Sequence, residues 1–234
     1  MPPFGPWMCG GSSNSALVAN LRAAGLVHSQ AVLQAMLGTD RAHYVPAASR
    51  FAAYEDAPQP IGWEQTISAP HMHAMALELL EPVLRGPSPR VLDVGSGSGY
   101  LCACLQRLTA ARGGHVFGID YIEPLVEASR SNLAADSAAV AAAVHVEAGD
   151  GWQGLPASGP FDAIHVGAAA THVPDALVAQ LKPGGRMVIP VGPRHGDQVL
   201  LQLDKATDGR SCSQKVITGV RYVPLVKLSR ADDT

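Results

Sequence analysis

Three glycines at alternate positions follow a short apolar run, and this is the feature of the sequence best suited to binding a cofactor. Residues 91–94 are apolar and predict a strand, whereas helix-forming residues from Tyr100 onwards predict a helix. Gly95, Gly97 and Gly99 lie between them and predict a tight turn. Because glycine has no Cβ, a ligand can lie directly against such a turn, and the helix N-terminus adds free N–H groups. The stretch therefore predicts a cofactor site where a strand passes into a helix.

Two classes of cofactor are bound by turns of this kind, and the glycine spacing separates them. The dinucleotide fingerprint G-x-G-x-x-G requires glycine at a position that Tyr100 or Cys102 occupies here. The pattern D-x-G-x-G-x-G, which starts at Asp93, instead resembles the first motif of class I S-adenosylmethionine (SAM) methyltransferases. A glycine-rich turn without a ligand is the alternative, and we favour SAM over it.

Two further carboxylates are expected at the ends of the next two strands, where ligands of open α/β sheets bind. Asp120 follows the apolar residues 116–119, and its carboxylate could accept hydrogen bonds from both ribose hydroxyls. Asp150, followed by Gly151, is the candidate acceptor for the adenine amino group. For both aspartates the alternative is an ordinary turn residue. Asp93 lies inside the first strand and is expected to orient the turn backbone, since a buried carboxylate needs partners.

The elements that must position these residues form an α/β pattern after a helical beginning. Residues 15–84 predict a helical N-terminal segment, and residues 90–228 an α/β core, with a flexible leader at 1–14 and a tail at 229–234. Strands are predicted near residues 90–94, 115–119, 143–147, 161–166, 185–191, 198–204 and 215–223, and core helices near 99–110, 122–135 and 173–181. Alternation of this kind predicts a doubly wound, mostly parallel, seven-stranded sheet. A hairpin turn at residues 206–209 adds an antiparallel strand late in that sheet.

Composition excludes several classes of function. The chain has 234 residues and a net charge of −3, and it carries no run of Lys or Arg, so a nucleic-acid partner is not expected. No apolar run reaches the roughly 18 residues that span a bilayer, and no signal peptide is evident. The four cysteines match no zinc spacing, so we expect reduced thiols, no metal site and a cytoplasmic protein.

Four stretches carry a more specific resemblance. They are residues 65–73 (QTISAPHMH), residues 40–46 (DRAHYVP), residues 162–170 (DAIHVGAAA) and residues 221–225 (RYVPL). With the glycine turn, they resemble the protein-L-isoaspartate O-methyltransferase family over residues 15–228. The resemblance implies a Rossmann-like methyltransferase fold and a methyl transfer from SAM, with S-adenosylhomocysteine as product. The expected substrate is the free α-carboxylate of isoaspartyl residues in damaged proteins and peptides, and the expected protein is a monomer.

The same resemblance assigns site residues. Ser68 is the implied active-site hydroxyl, and Ser98 is implied to bind the cofactor from the glycine turn. The predicted cofactor-binding residues are Gln65, Thr66, Ile67, Ser68, His73, Gly95, Gly97, Ser98, Asp120, Asp150 and Gly151. From the residues alone, Ser68 before Ala69-Pro70 also fits a helix cap, and the free N–H groups there could attract a carboxylate. For His73, the alternative is a capping or core histidine.

Two other functions remain open from the sequence. One is a class I methyltransferase for another carboxylate or for a nucleic acid. Residues 167–170 read Gly-Ala-Ala-Ala, where base-amine methyltransferases often carry an Asn/Asp-Pro-Pro-aromatic stretch, which argues against a nucleic acid. The other is a SAM-binding protein without catalysis that acts through partners.

Overall fold

The computed structural model describes residues 9–194 and 196–228. Seven α-helices occur in these residues: α1 Asn14–Ala23, α2 Gln30–Leu37, α3 Pro70–Leu80, α4 Tyr100–Thr109, α5 Glu123–Asp136, α6 Ala138–Ala143 and α7 Asp175–Ala179. The strands of the same residues are β1 Gln59–Gly62, β2 Gln65–Ile67, β3 Arg90–Val94, β4 His115–Asp120, β5 Val144–Ala148, β6 Phe161–Val166, β7 Leu181–Val191, β8 Gln198–Lys205 and β9 Cys212–Val220. Short 3-10 turns occupy Arg41–Tyr44, Ala47–Ala52, Glu81–Leu84, Ala110–Arg112 and Pro156–Ser158.

A seven-stranded sheet with the order β5-β4-β3-β6-β7-β8-β9 forms the centre of the fold. The pairs from β5 to β7 are parallel, whereas β8 runs antiparallel to both β7 and β9. The turn between β8 and β9 is closed by a hydrogen bond from Ala206 N to Ser211 O of 2.8 Å. The predicted doubly wound sheet with a late antiparallel strand is therefore confirmed.

Alternation along the strands divides the core between the two faces of the sheet. Val91 packs with helices α1 to α6 on one face, and its neighbour Leu92 packs on the other face with Leu177 of α7. Successive side chains of a strand point to opposite faces, so a strand buried on both faces reads as a continuous apolar run. No helix of the described residues is long and apolar enough to cross a membrane.

The described part of the predicted leader differs from expectation. α1 begins at Asn14, and Asn14 donates from Nδ2 to the carbonyl of Met36 at 3.0 Å, at the end of α2. Gly11 N donates to Tyr54 O at 3.0 Å, and Cys9 is buried. Polar and small residues of the predicted leader thus donate hydrogen bonds to backbone carbonyls of later segments. Composition alone does not reveal such contacts. Residues 1–8 and the tail at 229–234 lie outside the described residues.

Several elements differ from the sequence-based prediction. The hairpin of β1 and β2 is missed because its turn residues Trp63 and Glu64 are not turn formers, although both adopt positive φ angles, of 49° and 58°. α6 consists of alanines and one valine and therefore lacks an amphipathic period. β9 spans 212–220 rather than 215–223, because an edge strand exposed along most of its length shows no burial alternation.

Candidate active site

A cavity opens at the carboxyl ends of β3, β4 and β6. It is lined by Ile61, Gln65, Thr66, Gly95, Gly97, Ile119, Asp120, Tyr121, Gly151, Gly167, Ala168 and residues 223–226. The position agrees with the rule that ligands of open α/β sheets bind beyond the carboxyl ends of the strands. Six predicted cofactor-binding residues line this cavity: Gln65, Thr66, Gly95, Gly97, Asp120 and Gly151.

The glycine turn forms the floor of this first cavity. Gly95 and Gly97 have φ angles of 72° and 54°, a left-handed conformation that side chains other than glycine rarely adopt. The N–H of Gly95 donates to Ile119 O at 2.8 Å, which ties the turn to β4. A Cβ at Gly97 would lie 3.2 Å from Ile61 Cδ1. The turn therefore requires glycine for its backbone conformation, and a side chain at Gly97 would also crowd Ile61 of β1.

Asp120 ends β4 and presents a fixed carboxylate to the first cavity. Its Oδ2 accepts from Gly97 N at 3.0 Å, and its Oδ1 accepts from Ile122 N at 3.2 Å. Burial raises the pKa of this carboxyl, and the backbone hydrogen bonds from Gly97 and Ile122 oppose that effect. Each oxygen keeps lone pairs for further donors. The geometry fits a carboxylate that accepts hydroxyl groups of a ribose.

Asp150 and Gly151 follow β5, and only one of the two lines the first cavity. Gly151 lines the first cavity, and a Cβ there would lie 2.8 Å from Val94 Cγ1. Asp150 is not among the lining residues, and its Oδ1 accepts from Trp152 N at 2.9 Å. This is the turn geometry of the alternative interpretation, and the adenine role of Asp150 stays a prediction.

A second cavity adjoins the glycine turn. It shares Thr66, Gly95, Gly97 and Gly167 with the first cavity. Its other lining residues are Ile67, Ser68, His73, Asp93, Ser96, Ser98, Tyr100, Leu101 and His165. The two cavities together therefore contain every predicted site residue except Asp150.

Ser68 is a half-buried residue of the second cavity and does not cap α3. The N-cap of α3 is Ala69, which makes no side-chain capping bond. The carboxylate of Asp56 takes that role, because its Oδ1 accepts from His71 N at 3.0 Å and lies 2.8 Å from His71 Nδ1. The capping interpretation of Ser68 is therefore wrong, and an internal carboxylate already occupies the helix N-terminus that could have attracted a substrate carboxylate.

The side chain of Ser68 instead lies beside Tyr222, a residue that the sequence-based prediction missed. Burial raises the pKa of Tyr222 to about 12, so its phenol is neutral at physiological pH. Tyr222 lies in the segment after β9, whose Val223 O accepts from Ala169 N at 2.8 Å. The resemblance at residues 221–225 marked this segment but singled out no residue in it.

Asp93 is paired with His165 rather than with the turn backbone. His165 Nδ1 lies 2.7 Å from Asp93 Oδ1, and Cys102 donates from Sγ to Oδ2 at 3.3 Å. Both members of the pair are buried and line the second cavity. The expected role of Asp93 in orienting the turn is therefore corrected. A histidine inside the apolar strand β6 was the sequence signal for this pair.

Groups suited to metal binding do not cluster in this site. Across residues 9–194 and 196–228, no three His, Cys, Asp or Glu side chains are placed to hold a metal ion together. Cys9, Cys102 and Cys104 are buried free thiols, and Cys212 is an exposed one.

The seven-stranded sheet, the left-handed glycine turn and the carboxylate at the end of β4 define a class I SAM-dependent methyltransferase. A model of the protein-L-isoaspartate(D-aspartate) O-methyltransferase family matches residues 12–230. The chain therefore belongs to this family.

Individual relatives match over almost the whole chain. Protein-L-isoaspartate O-methyltransferase 1 of Arabidopsis thaliana is 50% identical over 219 residues, which cover 92% of this chain and 91% of that protein. The protein-L-isoaspartate O-methyltransferase of Caenorhabditis elegans is 44% identical, with coverages of 94% and 95%. A crystal structure from Plasmodium falciparum, assigned to the same activity and in complex with S-adenosyl-L-homocysteine, has a TM-score of 0.83 and 32% identity. That comparison covers 93% of this chain and 100% of the Plasmodium chain.

Proposed function

We propose that the protein transfers the methyl group of SAM to the free α-carboxylate of L-isoaspartyl residues in damaged proteins and peptides. The observation that carries this proposal is the pair of cavities that meet at the glycine turn. One presents the Asp120 carboxylate, and the other is lined by Ser68. A cofactor and an anionic substrate can thus meet where the two cavities share Gly95 and Gly97.

The first cavity supplies the groups that would hold the cofactor. Asp120 accepts hydroxyl donors, Gly95 and Gly97 give access to the backbone, and Gly151 leaves room beside Val94. Thr66 lies where the two cavities join. SAM, when bound, supplies a methyl group on a sulfonium that is already a good leaving group.

The second cavity supplies donors for a carboxylate. An isoaspartyl residue continues the chain through its side-chain carboxyl, so its α-carboxylate is free and is already a nucleophile at neutral pH. One carboxylate oxygen bonds to the methyl carbon as the carbon–sulfur bond breaks, and the products are a methyl ester and S-adenosylhomocysteine. No proton moves, so the residues need only align and hold the carboxylate, with Ser68 Oγ and backbone N–H groups as donors.

The fate of the methyl ester explains how the methyl transfer would repair a protein. The methyl ester closes to a succinimide with loss of methanol, and hydrolysis of the succinimide returns part of the residue to normal aspartate. The proposal is a repair function that acts on isoaspartyl-containing peptides and proteins. We further propose that the protein works as a cytoplasmic monomer, without a nucleic-acid or membrane partner, in keeping with its net charge of −3.

Two synthetic peptides, identical except for isoaspartate or aspartate at one position, test the proposal. Each is incubated with methyl-labelled SAM, and base-labile methyl ester is counted. We expect label only in the isoaspartyl peptide. Label in neither peptide, with S-adenosylhomocysteine binding intact by calorimetry, would contradict the substrate assignment. That result would favour another carboxylate substrate or a non-catalytic SAM-binding role.

A further inference from the structure

Arg41 is a fully buried cation behind the second cavity that the proposed mechanism does not use. Its exposed fraction is 0%, and its guanidinium carbon lies 5.5 Å from the centroid of the Tyr100 ring. Among the described residues it forms no salt bridge, since Asp56, a carboxylate in its neighbourhood, is bound to His71. Its Nε is buried without a hydrogen-bond partner. Burial lowers the pKa of Arg41 to about 10, which still leaves it charged at neutral pH.

The guanidinium of Arg41 connects two residues that line the second cavity. Nη2 donates to the carbonyl oxygen of Ser68 at 2.8 Å, and Nη1 lies 3.4 Å from His73 Nδ1. A third contact, from Nη2 to Ala57 O, measures 3.5 Å. The fork of one side chain thus fixes the backbone of Ser68 and the imidazole of His73 together.

The contact with Arg41 also determines where His73 carries its proton. A guanidinium is only a donor, so Nδ1 of His73 must accept, and a neutral ring then carries its proton on Nε2. Burial lowers the pKa of His73 well below its usual value, and the charge of Arg41 lowers it further. The other groups facing the ring are His71 on its own helix, His165 from β6 and Tyr100 from α4. None of these is an anion at neutral pH, so His73 is a neutral donor in the cavity wall.

We propose that Arg41 is a positioning residue for the carboxylate substrate. It holds Ser68 in place, selects the Nε2–H form of His73, and supplies a buried positive charge that an anion in the second cavity balances. The inference rests on the proposed function only in naming that anion as the isoaspartyl α-carboxylate. Unpaired buried charges cost free energy, so the charge of Arg41 is compensated best when the substrate is bound.

The proton position on His73 is tested without any substitution at Arg41. Histidine nitrogens of the ¹⁵N-labelled protein are observed by NMR between about pH 6 and pH 8, a range that spans the usual histidine pKa. The His73 signals are assigned by their loss in H73Q. We expect a protonated Nε2 and an unprotonated Nδ1 throughout. An Nδ1–H form, or an imidazolium, at any pH in this range would overturn the proposal.

Steady-state kinetics test how Arg41 affects the KM and kcat for the peptide substrate. We expect R41M to raise the KM for the isoaspartyl peptide about tenfold or more and to lower kcat, the size expected for a lost charged donor. Its affinity for S-adenosylhomocysteine should stay within about twofold of the wild type, because Arg41 does not line the first cavity. R41K should restore KM and kcat only in part, since a lysine ammonium cannot contact Ser68 and His73 at once as the guanidinium fork does.

Arg186 offers a matched control at the other end of α3. Its Nη1 donates to Leu79 O at 2.7 Å, and it lines neither cavity. R186M should lose stability while KM for the peptide stays unchanged.

Wild-type KM and kcat in folded R41M would overturn the inference. If R41M fails to fold, wild-type values of KM and kcat in R41K would overturn it. Inactivity of the wild type on the peptide would instead contradict the proposed function, and the NMR result would still decide the role of Arg41.

Discussion

Asp120 Oδ2 accepts a hydrogen bond from the backbone N–H of Gly97 at 3.0 Å, so the carboxylate proposed to bind ribose also anchors the glycine turn. The contact joins the end of β4 to the turn that follows β3. This hydrogen bond therefore couples the two sides of the cofactor site. A change at Asp120 is expected to affect the cofactor directly and through the turn.

Replacement of Asp120 should weaken cofactor binding. D120A removes the acceptor of the ribose hydroxyls and leaves Gly97 N without its partner, so we expect S-adenosylhomocysteine affinity to fall about tenfold or more by calorimetry. D162N is the control, because Asp162 is also a strand carboxylate but binds Lys182 at 2.7 Å, and it lines neither cavity. Unchanged affinity in D120A would remove Asp120 from the cofactor site.

The affinity for S-adenosylhomocysteine should also depend on pH through Asp120. Burial raises the pKa of Asp120, so the carboxylate gains its proton at a higher pH than an ordinary aspartate does. The ionised form is the better acceptor, so affinity should decrease as pH falls through this raised pKa. Calorimetry from pH 7 to about pH 5 measures the slope. If affinity depends on pH in the same way in D120N as in the wild type, the dependence arises from a group other than Asp120.

Loss of the Ser68 hydroxyl should lower turnover while cofactor binding survives. S68A removes one donor to the carboxylate, and we expect kcat to fall about tenfold or more. Because the Ser68 side chain lies beside Tyr222, the effects of S68A and Y222F should not add. Initial rates of the single and double variants on the isoaspartyl peptide give the coupling. Wild-type turnover in S68A would exclude Ser68 from the mechanism.

Alanine variants of two glycines distinguish the cost of backbone strain from the loss of the cofactor-binding turn. Gly97 and Gly184 have φ angles of 54° and 80°, but only at Gly97 would a Cβ press on a neighbour, Ile61 Cδ1 at 3.2 Å. Both alanine variants should lose about 1–2 kcal/mol of stability from a left-handed residue, as measured by denaturant unfolding. Only G97A should lose affinity for S-adenosylhomocysteine. Equal affinities in the two variants would show that the turn does not contact the cofactor.

The sequence predicted the sheet and the cofactor side of the site because both depend on local patterns. A run such as residues 91–94 specifies a buried strand, and alternate glycines specify a turn that begins a helix. Asp120 was placed in the same way, as the residue that ends β4. Since carboxyl ends of parallel strands meet at one edge, strand positions alone bring Gly97 and Asp120 together.

The substrate side depends on contacts between residues far apart in the chain. Tyr222 reaches Ser68 only because the segment after β9 pairs with Ala169, and Asp56 caps α3 from a different segment. No spacing in the sequence encodes such contacts. Helix-capping preference suggested Ser68 as the cap of α3, and the tertiary position of Asp56 overrode it. The resemblance at residues 65–73 identified Ser68 without revealing its partner.

Asp56 should stabilise the fold in a pH-dependent way. Burial alone would raise the pKa of Asp56, but the hydrogen bonds from the side chain and backbone of His71 lower it below its ordinary value. A depressed pKa means stability that is present above the unfolded-state pKa and is lost as pH falls through the folded-state pKa. D56N should therefore lower the free energy of unfolding by about 1 kcal/mol or more for a lost cap, and with it Tm at neutral pH. It should also flatten the decline of Tm in acid. Thermal melts by circular dichroism measure both effects, and D175N, at the exposed first turn of α7, should change neither. Parallel Tm-against-pH curves for D56N and the wild type would show that Asp56 does not stabilise α3 as a carboxylate.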